Sequence, residues 1–297
     1  MTCSRPIRLG VLTLFVLGLA ATQAAAWGPA VHTYVADHSG KRWPFLNRTE
    51  IYGALLADAF YFASELPPGL QAIGAEVTNE HYLKMWVGAC GLGNRALGFG
   101  YVSHNGEWGA DSTAHDPVNG YVVLKARAMR DHHPVLIALL PDPTQREAIA
   151  HMLAEAGTDL LLKRKDPRIG SKLLLAALLR GSFVPQQYVT TFTPELAHQT
   201  GLAPEVAAGV LTEVEKGYRT AMVVYGLALM KDEDAALDTL AEQFALLAPG
   251  WDVEVPPAVI RQLLVDAMTL CELDFQDALD FTTQFVRIQL WVNGVWY

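Results

Sequence analysis

The chain has 297 residues, 51% of them hydrophobic and 18% charged, enough to bury a sizeable core and too apolar for an intrinsically disordered chain. Asp and Glu outnumber Lys and Arg by 31 to 22, for a formal charge of −9, which is opposite to the basic stripe of a protein that grips a duplex through its phosphates, so no stable nucleic-acid partner is expected. An enzyme acting on a phosphodiester stays open, because bound divalent cations supply positive charge that side chains lack.

Arg5 and Arg8 precede an apolar run from Leu9 to Ala21. At about 13 residues the run is too short for a bilayer, which takes about 20, and Ala24, Ala25 and Ala26 offer small residues for cleavage. Residues 1–26 therefore read as a signal peptide, and the mature chain is expected to begin at Trp27 and to be secreted or periplasmic. Cys3 is discarded with that segment. Cys90 and Cys271 remain, either paired in an oxidising compartment or as two isolated thiols. The strongest later apolar run, Thr220 to Met230, stops at Lys231 after about 11 residues and does not read as a membrane span.

Apolar residues then recur at helical spacing over Thr49 to Glu65, Asn119 to Asp131, Pro143 to Lys163, Ser171 to Leu179, Pro204 to Lys231, Asp232 to Leu247, and Pro256 to Val286 with a break. Asp142-Pro143, Thr193-Pro194 and Pro256-Pro257 read as helix starts. Alternating patterns occur only at Gln187 to Phe192 and in the tail from Gln289, neither long enough to found a sheet. An all-α protein is expected. Breaks are expected at 164–170 and 181–205, dividing a metal-bearing helical body over 27–180 from a C-terminal helical region over 181–297, which either packs on the same body, covers substrate or serves assembly. The run Gly88-Ala-Cys90-Gly91-Leu-Gly93 lacks a preceding strand, the required glycine spacing and a Lys-Ser/Thr ending, so it reads as a tight loop rather than a phosphate cradle.

Five of the nine histidines lie in short patterns with other donor groups. His151-Met-Leu-Ala-Glu155 sets two donors one helical turn apart, so both can face one ion, although such a pair also arises as an ordinary solvated contact. Asp159 continues that face. Asp111 and His115 repeat the spacing, with His104 upstream, and they read equally well as a cap and a surface histidine. Trp27 and His32 would offer an amine, a carbonyl and an imidazole, provided that processing frees the amine. Asp58 and His81 are single further donors. His38, His132, His133 and His198 read as solvated surface.

Taken in order, Trp27-Gly-Pro-Ala-Val-His32, Tyr52-Gly-Ala-Leu-Leu-Ala-Asp58, His81, Gly100-Tyr-Val-Ser-His104, Ala110-Asp111-Ser-Thr-Ala-His115 and His151-Met-Leu-Ala-Glu155 resemble the secreted bacterial zinc-dependent phospholipases C. The resemblance covers residues 27 to 160. It implies an all-α body with up to three zinc ions: one on Asp58, His81, His104 and Asp111; one on the Trp27 amine and carbonyl, His32 and the bridging Asp111; one on His115, His151 and Glu155. Asp58 would also orient the attacking water, and Asp159 would hold a ligand histidine from behind. The substrate implied is a phospholipid or other phosphodiester, with transient contact to a membrane surface.

One departure bears on the bridge. The family pattern sets a carboxylate four residues after the histidine, where this chain has Trp108, and Asp111 follows His104 by seven residues. On a continuous helix that places the pair about 10 Å apart, so they can share an ion only if the Gly-containing segment between them unwinds. Glu107 is the fallback ligand. Two rivals remain: a related zinc nuclease or phosphoesterase, whose usual Gly-Asp-x-His-Gln-Pro-Leu-His run is absent, and a non-catalytic secreted zinc protein.

Overall fold

A computed structural model of the chain describes residues 27–41, 43–247 and 255–297. The expected signal peptide over residues 1–26, with Cys3, lies outside the described residues. Within them all regular structure is helical, in the order α1 (Pro29–Ser39), α2 (Pro44–Leu56), a 3-10 turn (Ala59–Phe62), α3 (Pro68–Glu80), α4 (Lys84–Val87), α5 (Leu92–His104), α6 (Ala110–His115), α7 (Tyr121–His132), α8 (Pro134–Leu139), α9 (Pro143–Lys165), α10 (Ile169–Leu178), α11 (Phe183–Thr200), α12 (Pro204–Leu229), α13 (Glu233–Leu247), α14 (Pro257–Glu272) and α15 (Phe275–Val292). The all-α expectation holds, and none of these helices is long and apolar enough to cross a membrane.

Proline opens α1, α2, α3, α8, α9, α12 and α14, where its missing N–H costs no hydrogen bond and its fixed φ suits the first turn. At α9, Asp142 adds a side-chain cap to the Thr144 N–H. The expected break at 164–170 is the turn between α9 and α10, and the break after Pro256 is the turn at Leu273 and Asp274. The break expected over 181–205 is mostly helix instead. There α11 buries Val184, Tyr188, Phe192 and Leu196 every four residues, and the local alternation at Gln187 to Phe192 is a fragment of that stripe. Pro194 lies inside α11 rather than at a start. The carbonyl that loses its partner belongs to exposed Thr190, where solvent can satisfy it. The tail from Gln289 continues α15 to Val292.

Helix α9 runs through the core, with most residues from Ile149 to Leu162 buried. It packs against α7, α14, α1 and α10, while α12 packs against α10 and α11, and α15 against α1 and α6. Helices from 181–297 thus close on the helices that carry the histidines. The tightest crossing is α2 on α5. Gly53 and Gly100 meet the opposite backbone there: a Cβ at Gly100 would lie 2.6 Å from the Glu50 carbonyl carbon, and one at Gly53 3.0 Å from the Tyr101 nitrogen. Only glycine lets the two backbones approach this closely. Cys90 is exposed and Cys271 buried, with no bond between them, and burial pushes the Cys271 thiol up to about 12.

Candidate metal centre

Trp27 is buried, its indole N–H donating to Thr113 Oγ1 at 3.0 Å and its ring stacked on Tyr121 at 5.1 Å. Five residues on, in α1, the His32 ring is buried with neither nitrogen hydrogen-bonded. Asp159 fixes this segment. Its carboxylate accepts from Ala30 N at 2.9 Å, Val31 N at 3.0 Å and the Tyr225 hydroxyl at 2.9 Å, an anion set on the first turn of a helix, where free N–H groups and the macrodipole favour it. The expected contact from Asp159 to a ligand histidine is corrected accordingly: the carboxylate orients the helix that carries His32. Burial raises its pKa to about 7, against those hydrogen bonds.

The α2 and α5 crossing brings Asp58, just beyond α2, to His104, the last residue of α5. His104 Nδ1 lies 2.9 Å from the Ala54 carbonyl, so this nitrogen carries the proton and donates, leaving Nε2 facing Asp58 Oδ1 at 3.2 Å. His32 stacks on His104 at 4.1 Å. Donor atoms of His32, Asp58 and His104 all lie within 4.8 Å of one another.

Between α5 and α6 the chain unwinds, as a shared ion requires. Asn105 Oδ1 accepts from Glu107 N and Trp108 N, both at 2.9 Å, and Gly109 N donates back to Asn105 O at 3.0 Å. A Cβ on Gly109 would sit 2.5 Å from the His104 carbonyl carbon, so this turn requires glycine. It delivers Asp111 and His115, whose Oδ1 and Nδ1 are 2.6 Å apart. His115 Nε2 in turn faces His151 Nε2 at 2.7 Å, and Glu155 Oε1 lies 3.0 Å from the latter. His115, His151 and Glu155 form the second group of donors within 4.8 Å.

Burial and mutual charge perturb these groups strongly. Burial drives the His32 pKa well below its usual value and the Glu155 pKa well above its own. Burial also raises Asp58, opposed by His104. Burial would neutralise His104 as well, but Asp58 outweighs it and lifts the imidazole to about 9. For Asp111 the burial penalty is overcome by His115, then His104 and His32, which hold it far below the carboxylate range. Its electrostatic neighbours therefore come from both donor groups. Both His32 nitrogens are buried with no hydrogen-bond partner, and Asp58 Oδ1, Asp111 Oδ1 and Glu155 Oε1 are buried with only an imidazole nitrogen facing each of them. Unpartnered buried polar atoms are costly in a folded chain unless something else meets them, and imidazole with carboxylate is a donor set that divalent cations, zinc among them, accept.

Three expected ligands are not brought in: Asp111, the expected bridge, pairs with His115 and belongs to neither group of mutually close donors, and His81 and Glu107 face elsewhere. His81 ends α3 and points to Glu195 on α11 at 3.5 Å, because the α3 to α4 turn faces α11 rather than the core. Glu107 accepts from the Tyr82 hydroxyl at 2.9 Å, so the tether that shapes the turn also diverts the fallback ligand. His133, expected on the surface, bonds Asp266 at 3.0 Å and caps α8, while His132 and His198 are exposed. His38 stacks on Tyr34.

Tyr61 is a residue that the sequence did not single out. It follows Asp58 in the 3-10 turn, and burial pushes its hydroxyl pKa up, with Asp58, Asp111 and Glu155 adding to the shift. A groove of about 640 Å³ between α4, α5 and α11 shares no residue with these donors. Comparison with protein-family models, curated proteins and solved structures finds no match for this chain.

Proposed function

We propose that the mature chain is a secreted, zinc-dependent phosphodiester hydrolase of the phospholipase C type, cleaving the bond between phosphorus and the glycerol oxygen of a phospholipid. The observation that supports this reading is the convergence of two groups of imidazole and carboxylate donors, one buried and one partly buried, drawn from α1, the end of α2, α5, α6 and α9, with both His32 nitrogens left unpartnered.

When bound, clustered zinc supplies a water acidified from 15.7 towards about 7 and positive charge at the phosphoryl oxygens. The residues do the rest. Asp58 accepts a hydrogen bond from the attacking water and sets its line of approach, and the Ala54 carbonyl keeps His104 turned towards Asp58. Tyr61, held protonated, is a hydrogen-bond donor for a nonbridging oxygen. As the water oxygen bonds to phosphorus, the glycerol oxygen leaves with its electron pair and takes up a proton that balances the one the attacking water gives up. No covalent adduct with the protein is needed.

The substrate class is tested by offering the secreted protein phosphatidylcholine in mixed micelles and, separately, single-stranded DNA. Release of phosphocholine with no nucleotide release is the expected outcome. Nucleotide release without phosphocholine would move the chain to the nuclease class.

A further inference from the structure

Four large aromatic side chains that solvent reaches stand on two segments that approach each other. Trp43 and Phe45 stand at the start of α2, 71% and 51% exposed, and Trp291 and Trp296 at the end of α15, 74% and 67% exposed. Lys41, Arg287, Trp291 and Trp296 line one recess of about 190 Å³, so the two segments are neighbours. The apolar surface continues along α15 through Phe281, Ile288 and Val292, at helical spacing. The opposite side of the same helix buries Leu279, Val286 and Leu290 in the fold. A helix that has satisfied one apolar face and still presents another exposes more than folding explains: the aromatic residues alone leave on the order of 400 Å² in water, the scale at which a patch marks an interaction site.

At the recess the rim of the patch is cationic in a chain of net charge −9, whereas exposed Asp277 and Asp280 stand beside Phe281 at the other end of α15. Arg287 is exposed and makes no ion pair or hydrogen bond among the described residues, and the Lys41 ammonium lies 5.4 Å over the Tyr297 ring. The nearby Glu50 is turned inward, its carboxylate held by the Lys41 N–H and the Tyr297 hydroxyl, and Asp37 is taken by Lys172. Exposed tryptophans beside unpaired cations suit the headgroup layer of a membrane, where indoles sit between hydrocarbon and water and basic groups meet phosphates. A second copy fits poorly, since a two-fold axis through the patch would set like charges against each other.

We propose that this face docks on a phospholipid bilayer that carries anionic headgroups, with Trp43, Phe45, Trp291 and Trp296 entering the interface and Lys41 and Arg287 meeting lipid phosphates. Docking holds the metal centre's own scaffold to the lipid, because α15 also carries Thr282, 2.8 Å from Thr113 between Asp111 and His115. That the same bilayer supplies the substrate rests on the phospholipase reading; the docking does not.

The test is cosedimentation of the secreted protein with vesicles of phosphatidylcholine and phosphatidylglycerol in equal parts, or of phosphatidylcholine alone, with released headgroup measured in the same tubes. The protein should sediment with the mixed vesicles and about tenfold less with the zwitterionic ones. W291S/W296S should lower partitioning about tenfold or more, R287E should remove the preference for anionic lipid, and L227S, at an exposed site on α12, should change nothing. Should the tryptophan pair prove necessary for folding, R287E, at an exposed position, still decides. Sedimentation without hydrolysis would leave the docking standing and overturn the phospholipase reading. Absence of the wild type from the pellet, equal partitioning of all variants, or a lipid-free dimer that W291S/W296S dissolves would overturn the docking.

Discussion

Replacing Gly100 by alanine perturbs the metal centre from a distance, through the crossing that places Asp58 beside His104. In an open helix the change would stabilise by about 1 kcal/mol, because alanine is the better helix former. Here the new methyl would lie 2.6 Å from the Glu50 carbonyl carbon, whereas carbon atoms pack at about 3.5 to 4.0 Å, so α2 and α5 must part by about 1 Å. Both partners at the clash are backbone and cannot swing aside. Overpacking of a close-packed core costs about 1 to 3 kcal/mol, and a backbone clash belongs at the upper end, so a net loss of about 2 kcal/mol is expected. The displacement also opens the pair at 3.2 Å between Asp58 and His104, so metal on His32, Asp58 and His104 should weaken while His115, His151 and Glu155 are largely spared. Urea unfolding of the metal-free protein reads the first effect, and elemental analysis after partial chelation reads the second. Gly69, whose Cβ would meet nothing within 4 Å, is the control. If Gly100→Ala is as stable as Gly69→Ala and binds the same metal, the crossing does not position the site as argued.

Asp111→Asn, nearly isosteric but uncharged, should lose close to two metals and all hydrolysis, whereas Glu107→Gln should keep both; metal content of the two purified variants decides, and the reverse ranking would make Glu107 the bridge. His81→Ala should retain its full metal complement, since the ring faces Glu195, and loss of one zinc would restore it to the ligand set. Burial raises Glu50 from 4.5 to about 7, so the folded state holds this proton more tightly than the unfolded one. Its stabilising contribution is complete below pH 4.5 and is lost as pH rises to about 7, on the order of 3 kcal/mol; Glu50→Gln should flatten that part of the stability profile in urea titrations across the range, and an unchanged slope would contradict the assignment.

What the sequence made legible was the chemistry carried by local spacing. The pairs Asp111 with His115 and His151 with Glu155 lie one turn apart on α6 and α9 as their spacing required, and the distance from His104 to Asp111 called for the unwinding that Asn105 and Gly109 supply. Long-range pairings were not legible. Nothing local distinguishes His104, whose proton is fixed by Ala54, from His81, whose partner arrives from α11. Asp159 continues the His151 and Glu155 face, yet it serves the first turn of α1, a partner 128 residues away that no periodicity reveals. Helix α11 was hidden by Pro194 and by a six-residue window that caught two positions of a four-residue stripe.

The central claim is that the two donor groups hold zinc and that the zinc does the chemistry. Elemental analysis of the secreted protein, with its first residue established by mass spectrometry, should find Trp27 first and zinc in excess of two per chain, and His151→Ala should lose one zinc together with hydrolysis of a chromogenic phosphocholine ester. A protein that purifies without zinc, takes none up on dialysis and hydrolyses the ester equally well with and without His151 would contradict the account.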